Sequence, residues 1–234
     1  MEVGLAPSRS RAQALILSGR VLVDDVPVDK AGRRVSDDSE IRLKGGDPPR
    51  FVSRGGEKLA GALEDFEVDP TGLRCLDVGA STGGFTDCLL QHGAREVIAL
   101  DVGRGQLHAR LRADSRVQVH ERVNARSIQP EHVAGSIDLL VADVSFISLR
   151  LLVGGFAEVA PGADWILLVK PQFEVGRERV GRGGVVREDV DRQAAVQAVI
   201  EACSAVGYVL VGQSESRLAG PKGNREVFVQ LRTE

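Results

Sequence analysis

Four short apolar blocks set the frame of the chain. Residues 73–78 (LRCLDV), 96–101 (EVIALD), 137–142 (IDLLVA) and 165–170 (WILLVK) each read as a buried strand. Continuous apolar runs of that length are what strands covered on both faces require. Between and around them lie stretches with helical spacing, at about 55–66, 84–92, 149–160 and 188–206. A short strand is predicted near 117–120, and two more close the chain at 208–216 and 226–232, separated by a Gly/Pro loop. Strand and helix in alternation predict a parallel sheet with helices on both faces, and the last two strands pair antiparallel at one edge.

The first 45 residues follow another pattern. Ser8 or Ser10 caps a helix that runs to Ser18, with Ala12, Leu15 and Ile16 on one face and Gly19 ending it. VLVDDVPVD then reads as strand, turn at Asp24-Asp25, strand, and a further strand covers 40–44. The stretch KGGDPPR at 44–50 punctuates the chain with Gly and Pro. The expected organisation is a small α+β module over 1–45, a linker over 46–53, and an α/β domain over 54–234.

Composition narrows the class. The 234 residues carry no apolar run near the roughly 18–20 residues of a spanning helix, and MEVGLAPSRS lacks a signal-peptide pattern. Cys75, Cys88 and Cys203 form no CxxC pair, so a disulfide framework or zinc ribbon is not expected and a reducing cytoplasm is. Aromatics at 4% are too few for a base-stacking sheet. The net charge of −3 hides an asymmetry: residues 1–58 carry eleven Lys or Arg against nine acids, and the remainder nineteen against twenty-four. Arg9, Arg11 and Arg20 surround the first helix with only Glu2 opposing them, a local basic face suited to phosphates, and Lys44 joins them as a candidate. A solvated helix face is the competing explanation for each.

LDVGASTGGF at 76–85 ends the first buried strand and enters a helix. Gly79, Gly83 and Gly84 allow a sharp turn and close approach to a ligand. Their spacing is neither the G-x-G-x-x-G of dinucleotide binders, which disfavours a nicotinamide oxidoreductase, nor a P-loop. Asp101 ends the second strand 22 residues after Gly79, where a carboxylate accepts the hydroxyls of a ribose. Asp77 precedes the glycines and either holds the loop or faces an ammonium group. A glycine turn and a ribose acid without phosphate features match S-adenosylmethionine. The plain alternative is a structural turn with an ordinary strand-end acid.

The fourth strand is followed by ADVSF at 142–146, without the prolines of enzymes that methylate base amino groups, and no cysteine stands near it as pyrimidine-carbon chemistry requires. Asp143 ends that strand; Lys170 ends the next, where Pro171 forces the chain out of the sheet. Lys58 precedes the first strand and Glu226 opens the last. Two lysines, an aspartate and a glutamate converging at the carboxyl edge suit a ribose 2′-hydroxyl, a weak acid that needs a base or an orienting group; a lysine desolvated beside another cation serves as one. The sulfonium is already a good leaving group, so no metal is implied.

The blocks SRSRAQALILSGRVLVDDVPVDK, VSRGGEKL, LDVGASTGGFTDCLL, ALDVGRGQL, DLLVADVSFISL, VKPQFEVG, GGVVR and GPKGNREVF together resemble the TlyA (hemolysin A) family. These are rRNA 2′-O-ribose methyltransferases with an S-four-type RNA-binding module and a Rossmann-like catalytic domain similar to FtsJ (RrmJ). The resemblance implies S-adenosylmethionine as methyl donor and cytidine in large-subunit (23S) rRNA as acceptor, with small-subunit (16S) rRNA for some members. It implies a catalytic tetrad of Lys58, Asp143, Lys170 and Glu226, with Lys170 the principal lysine and Asp143 between donor and acceptor. It also implies that Gly79 and Phe85 line the cofactor loop, Asp101 holds its ribose and Asn124 lies near its adenine, where relatives often carry an acid. The RNA module of the family usually opens with a further helix; here MEVGLAPSR leaves most of it out, so the module is expected to be truncated. Two competing functions are a non-catalytic RNA-binding assembly factor and a membrane-active hemolysin; the intact tetrad argues against the first, and the lack of a spanning or strongly amphipathic apolar segment against the second.

Overall fold

The computed structural model describes residues 5, 6, 8–36, 38–44 and 49–233. Two compact units divide at Arg50 and Phe51. Part of the expected linker, residues 46–48, lies outside the described residues, whereas Phe51 is a buried core residue of the second unit.

The first unit holds helix α1 (Arg9–Leu17) and three strands, β1 (Val21–Val23), β2 (Val26–Val28) and β3 (Ile41–Leu43), in an antiparallel sheet of order β2-β1-β3. Ser8 caps α1 by accepting from the Arg11 amide, as its position before the apolar face implies. Asp24 and Asp25 both have positive φ (50° and 64°) between the paired residues Val23 and Val26. Two left-handed residues make the turn whose twist matches a hairpin, and aspartate tolerates that conformation. Leu15, Val21, Val23 and Val28 form the small core, with Ala12 and Ile16 packed on it.

The second unit begins with α2 (Arg54–Asp65). It continues β4 (Arg74–Val78), α3 (Gly84–Gln91), β5 (Glu96–Asp101), α4 (Ala109–Arg112), β6 (Val117–Glu121), β7 (Leu139–Ala142), α5 (Val153–Val159), β8 (Asp164–Val169), α6 (Pro171–Glu174), α7 (Asp189–Ser204), β9 (Tyr208–Glu215) and β10 (Val227–Thr233). The seven strands lie in the order β6-β5-β4-β7-β8-β10-β9. The first five are parallel, and β10 runs antiparallel to both β8 and β9. The predicted helix over 149–160 is instead a 3-10 turn at Leu149–Leu151 followed by α5. Gly154 and Gly155 in its first turn weaken a continuous helix.

Side chains alternate across this sheet. Cys75, Val97, Ala99, Val141, Leu168 and Phe228 join one core with α2 and α3. Leu76, Ile98, Leu140, Leu167 and Val229 join the opposite core with α5 and α7. The period of two has a direct consequence for chemistry. Asp77, Asp101, Asp143 and Lys170 each lie two residues beyond a member of the first set, and Glu226 lies two residues before Phe228 on the reversed strand. All five therefore share the α2/α3 face at the carboxyl edge.

Candidate active site

Two lysine–carboxylate pairs occupy that edge. Lys170 Nζ lies 2.5 Å from Asp143 Oδ1 and donates to Ser145 Oγ at 2.8 Å. Lys58 Nζ donates to Glu226 Oε2 at 2.7 Å, joining α2 to the start of β10 across 168 positions of sequence. Glu226 is fully buried and Lys58 is 7% exposed. The register Val227 opposite Val169 makes Glu226 and Lys170 neighbouring positions on adjacent strands. Each lysine is thus paired with a carboxylate. Lys170 is held by its ion pair and by its hydrogen bond to Ser145. Oε1 of Glu226 has no hydrogen-bond partner. Gly220 lies so close to it that a Cβ there would sit 2.0 Å from Oε1.

The glycine turn abuts this cluster. Gly79 has φ +85°, and a Cβ on it would lie 2.6 Å from the Asp143 carbonyl oxygen, so only glycine lets the turn pass against β7. The other two glycines also meet close packing. A Cβ on Gly83 would strike Leu111, and one on Gly84 would strike Ser53 and the Gly56 amide. The Phe85 side chain points into the core beside Phe228, leaving its main chain at the start of α3.

Asp77 is fully buried, and its Oδ2 accepts from Thr86 Oγ1 at 2.7 Å. Its Oδ1 is buried with no partner. Burial pushes this carboxyl up to about 7, the Thr86 hydroxyl pulling against the shift and the charge of Asp143 adding to it. Asp101 accepts from the Ser81 amide at 2.8 Å and the Gly103 amide at 2.6 Å, one on each oxygen. A second lone pair on each oxygen remains for a diol. Ser81, Asp101, Gly103, Gln106, Leu107 and Glu121 line a small pocket there. Asn124 follows β6 at the same edge, exposed, its Oδ1 accepting from the Arg126 amide at 3.0 Å. An orphaned carboxylate oxygen and an acid-lined pocket on either side of one glycine turn fit a ligand with a cation at one end and a ribose at the other.

Several contributors were not singled out in the sequence. Ser145 partners Lys170, and Thr86 partners Asp77. Glu174 is buried and accepts from Ser148 Oγ at 2.5 Å and the Leu149 amide at 2.7 Å, clamping α6 to the loop that carries Asp143 and Ser145. Phe146 on that loop has φ +67°, is 92% exposed and packs against Phe173 at 5.4 Å between centroids. Only the shared ADVSF block pointed toward Ser145 and Phe146. In the first unit Arg9, Arg11, Arg20 and Lys44 are all exposed, and no ion pair involves them among the described residues. Arg20 and Lys44 are brought together, the Lys44 amide donating to the Arg20 carbonyl at 2.6 Å.

The fold is the one shared by S-adenosylmethionine-dependent methyltransferases. A solved structure from Mesorhizobium loti bearing that description superposes with TM-score 0.54 over 74% of this chain and 96% of its own, at 18% identity, a likeness of fold alone. The chain belongs to the FtsJ-like methyltransferase family, whose profile matches residues 51–233, and an S4 domain profile matches residues 2–41. It is 48% identical to the 16S/23S rRNA (cytidine-2′-O)-methyltransferase TlyA of Mycobacterium tuberculosis, over 99% of this chain and 87% of that one. A solved structure from Streptococcus thermophilus, named as a hemolysin, matches with TM-score 0.83 and 38% identity over 99% of this chain and 85% of its own.

Proposed function

We infer that this chain transfers the methyl group of S-adenosylmethionine to the 2′-hydroxyl of a cytidine ribose in ribosomal RNA. The two lysine–carboxylate pairs at the mouth of the glycine turn carry the reading. The likeness to the mycobacterial rRNA enzyme supports the substrate. When bound, the cofactor supplies a methyl group on a sulfonium, a leaving group that needs no metal. Asp77 Oδ1 would face its ammonium, and Asp101 would hold its ribose, with Gly79 giving the turn its close approach. Lys170, held beside Asp143 and Ser145, would act as the neutral amine: its lone pair accepts the 2′-hydroxyl proton as that oxygen bonds to the methyl carbon and the carbon–sulfur bond breaks, leaving an ammonium beside Asp143. Lys58 and Glu226 hold the ribose, Glu226 through the oxygen that has no partner in the protein. Asn124 is placed to meet the adenine. Positioning of this kind supplies most of the rate that such chemistry asks of a protein. Phe146 offers an exposed ring on which a base stacks.

The same reading assigns RNA binding to the first unit through Arg9, Arg11, Arg20 and Lys44, methyl transfer to the second, and a cytoplasmic setting. A membrane-active role finds no support in the fold: among the described residues, no helix is long and apolar enough to cross a membrane. The test is incubation with labelled S-adenosylmethionine and separated ribosomal subunits from a strain lacking the gene. Label in rRNA that protects one linkage from alkaline cleavage is the expected result. Label released as a methylated base, or none from protein shown to bind the cofactor, would overturn the assignment.

A further inference from the structure

The same edge carries cations that the tetrad does not use. The stretch 176–187, GRERVGRGGVVR, holds four arginines against one acid, Glu178. It is not a loose loop. Gly181 and Val185 form an antiparallel bridge, with the Gly181 amide donating to the Val185 carbonyl and the Gly184 amide to the Gly181 carbonyl, both at 3.0 Å. Gly183 and Gly184 take φ of +87° and +82° to close this turn, and Arg182 stands exposed at its tip.

A buried asparagine fixes the turn to the catalytic edge. Asn224 Oδ1 accepts from the Val186 amide at 3.0 Å, and its Nδ2 donates to the Gly184 carbonyl at 2.9 Å. Asn224 sits two residues before Glu226, in the loop GPKGN, which is itself closed by the Gly220 amide donating to the Asn224 carbonyl at 2.8 Å. Lys222 is exposed on that loop in a left-handed conformation, φ +61°. Among the described residues, neither Arg182 nor Lys222 has an ion-pair partner, whereas Arg179 faces Asp191 and Arg225 faces Glu215 and Asp189.

We propose that Arg182 and Lys222, locked together through Asn224, form a phosphate clamp with which the catalytic unit grips the RNA backbone beside the target ribose. The proposal rests on the reading of RNA as substrate and adds a second set of RNA contacts to those of the first unit. Main-chain turns fixed in advance leave only the two side chains to order on binding, and a guanidinium engages phosphate through two donors. The turn at 181–184 contains only glycine and arginine, so it has no apolar side chain to seat in lipid or in a protein pocket.

The test is a salt titration of binding between the full chain and a fluorescein-labelled single-stranded oligoribonucleotide. Each phosphate neutralised on a single strand contributes about 0.7 to the slope of log K against log salt, so R182Q with K222Q together should shrink the slope by about 1.4 and weaken binding more than tenfold at low salt. R95Q removes a single arginine charge just before β5, at the opposite edge, and should leave the slope unchanged, whereas R182Q alone should shrink it by about 0.7. A double variant with the wild-type slope, or an equal effect from R95Q, would overturn the clamp. Binding is read without methyl transfer, so a failed methylation assay counts against the proposed reaction while the slope alone decides the clamp.

Discussion

The two ends of the parallel sheet treat buried charged groups in opposite ways. At the amino edge, Arg74 is buried and each of its nitrogens is engaged: Nε meets Glu96 at 2.8 Å, Nη1 and Nη2 meet the Ser136 and Val133 carbonyls at 3.2 and 2.9 Å, and its amide meets Asp138 at 2.8 Å. At the carboxyl edge, Asp77 and Glu226 are more deeply buried, yet each keeps one oxygen without a partner. A fully satisfied network holds a fold together, whereas an orphaned buried oxygen costs stability and signals a ligand. Substitutions at the two ends should therefore fail in different assays.

The largest contrast is between Lys170→Ala and Arg74→Ala. Loss of a positioned acid–base group costs about 10²–10⁴-fold in rate, so Lys170→Ala should abolish measurable turnover while the thermal midpoint moves little. Arg74→Ala leaves carbonyls and a carboxylate unpaired and should lower stability by about 2–3 kcal/mol, read by denaturant unfolding, with turnover per folded molecule unchanged.

Asp77→Asn comes next. Removing a charge-assisted contact of about 1.5–3 kcal/mol weakens S-adenosylmethionine binding by about 10–100-fold in calorimetry. The same residue sets a pH signature. Its carboxyl is pushed up to about 7 in the fold, above its unfolded value. The native state keeps that proton where the unfolded chain has lost it, so this contribution to stability is complete below about pH 4 and is lost as pH rises to about 7. Affinity for the cationic cofactor moves the other way, tightening as Asp77 ionises. Urea titrations and calorimetry between pH 5 and 8 should show both trends in the wild type and neither in Asp77→Asn; equal slopes in the two proteins would contradict the role given to this carboxyl.

Glu174→Ala should have the smallest effect, lowering kcat by about tenfold through a loosened Ser145 loop, a positional loss of the kind that small displacements produce. Glu174→Gln, which keeps the acceptor for the Leu149 amide, should recover part of it, and cofactor affinity should stay constant in both. A parallel loss of affinity would show that Glu174 supports the fold generally.

The contrast between the two edges was half visible in the sequence. Apolar blocks ending in Asp77, Asp101, Asp143 and Lys170 announced the strands and put their chemistry at one edge, because a parallel strand delivers its last residues there. Pro171 marked where β8 stops. Period-two alternation also determines that these residues share a face with Glu226, but only once the strand directions are known. Lys58 and Glu226 could not be paired from spacing, since 168 positions separate them and the contact depends on where α2 packs. Gly83 and Gly84 read as ligand glycines, and the linear pattern carried no sign that a Cβ there would also meet Leu111, Ser53 and Gly56. Ser145, Thr86 and Glu174 act through hydrogen bonds across elements, and a linear pattern carries no signal for those.

The measurement that bears most directly on the central claim is single-turnover methyl transfer to ribosomal subunits by Lys170→Ala, with cofactor affinity determined by calorimetry on the same sample. The expected result is cofactor binding within a few-fold of wild type and ribose methylation reduced by at least about a hundredfold. Methylation within a few-fold of wild type, at equal cofactor occupancy, would show that the Lys170–Asp143 pair is not where the methyl group is transferred.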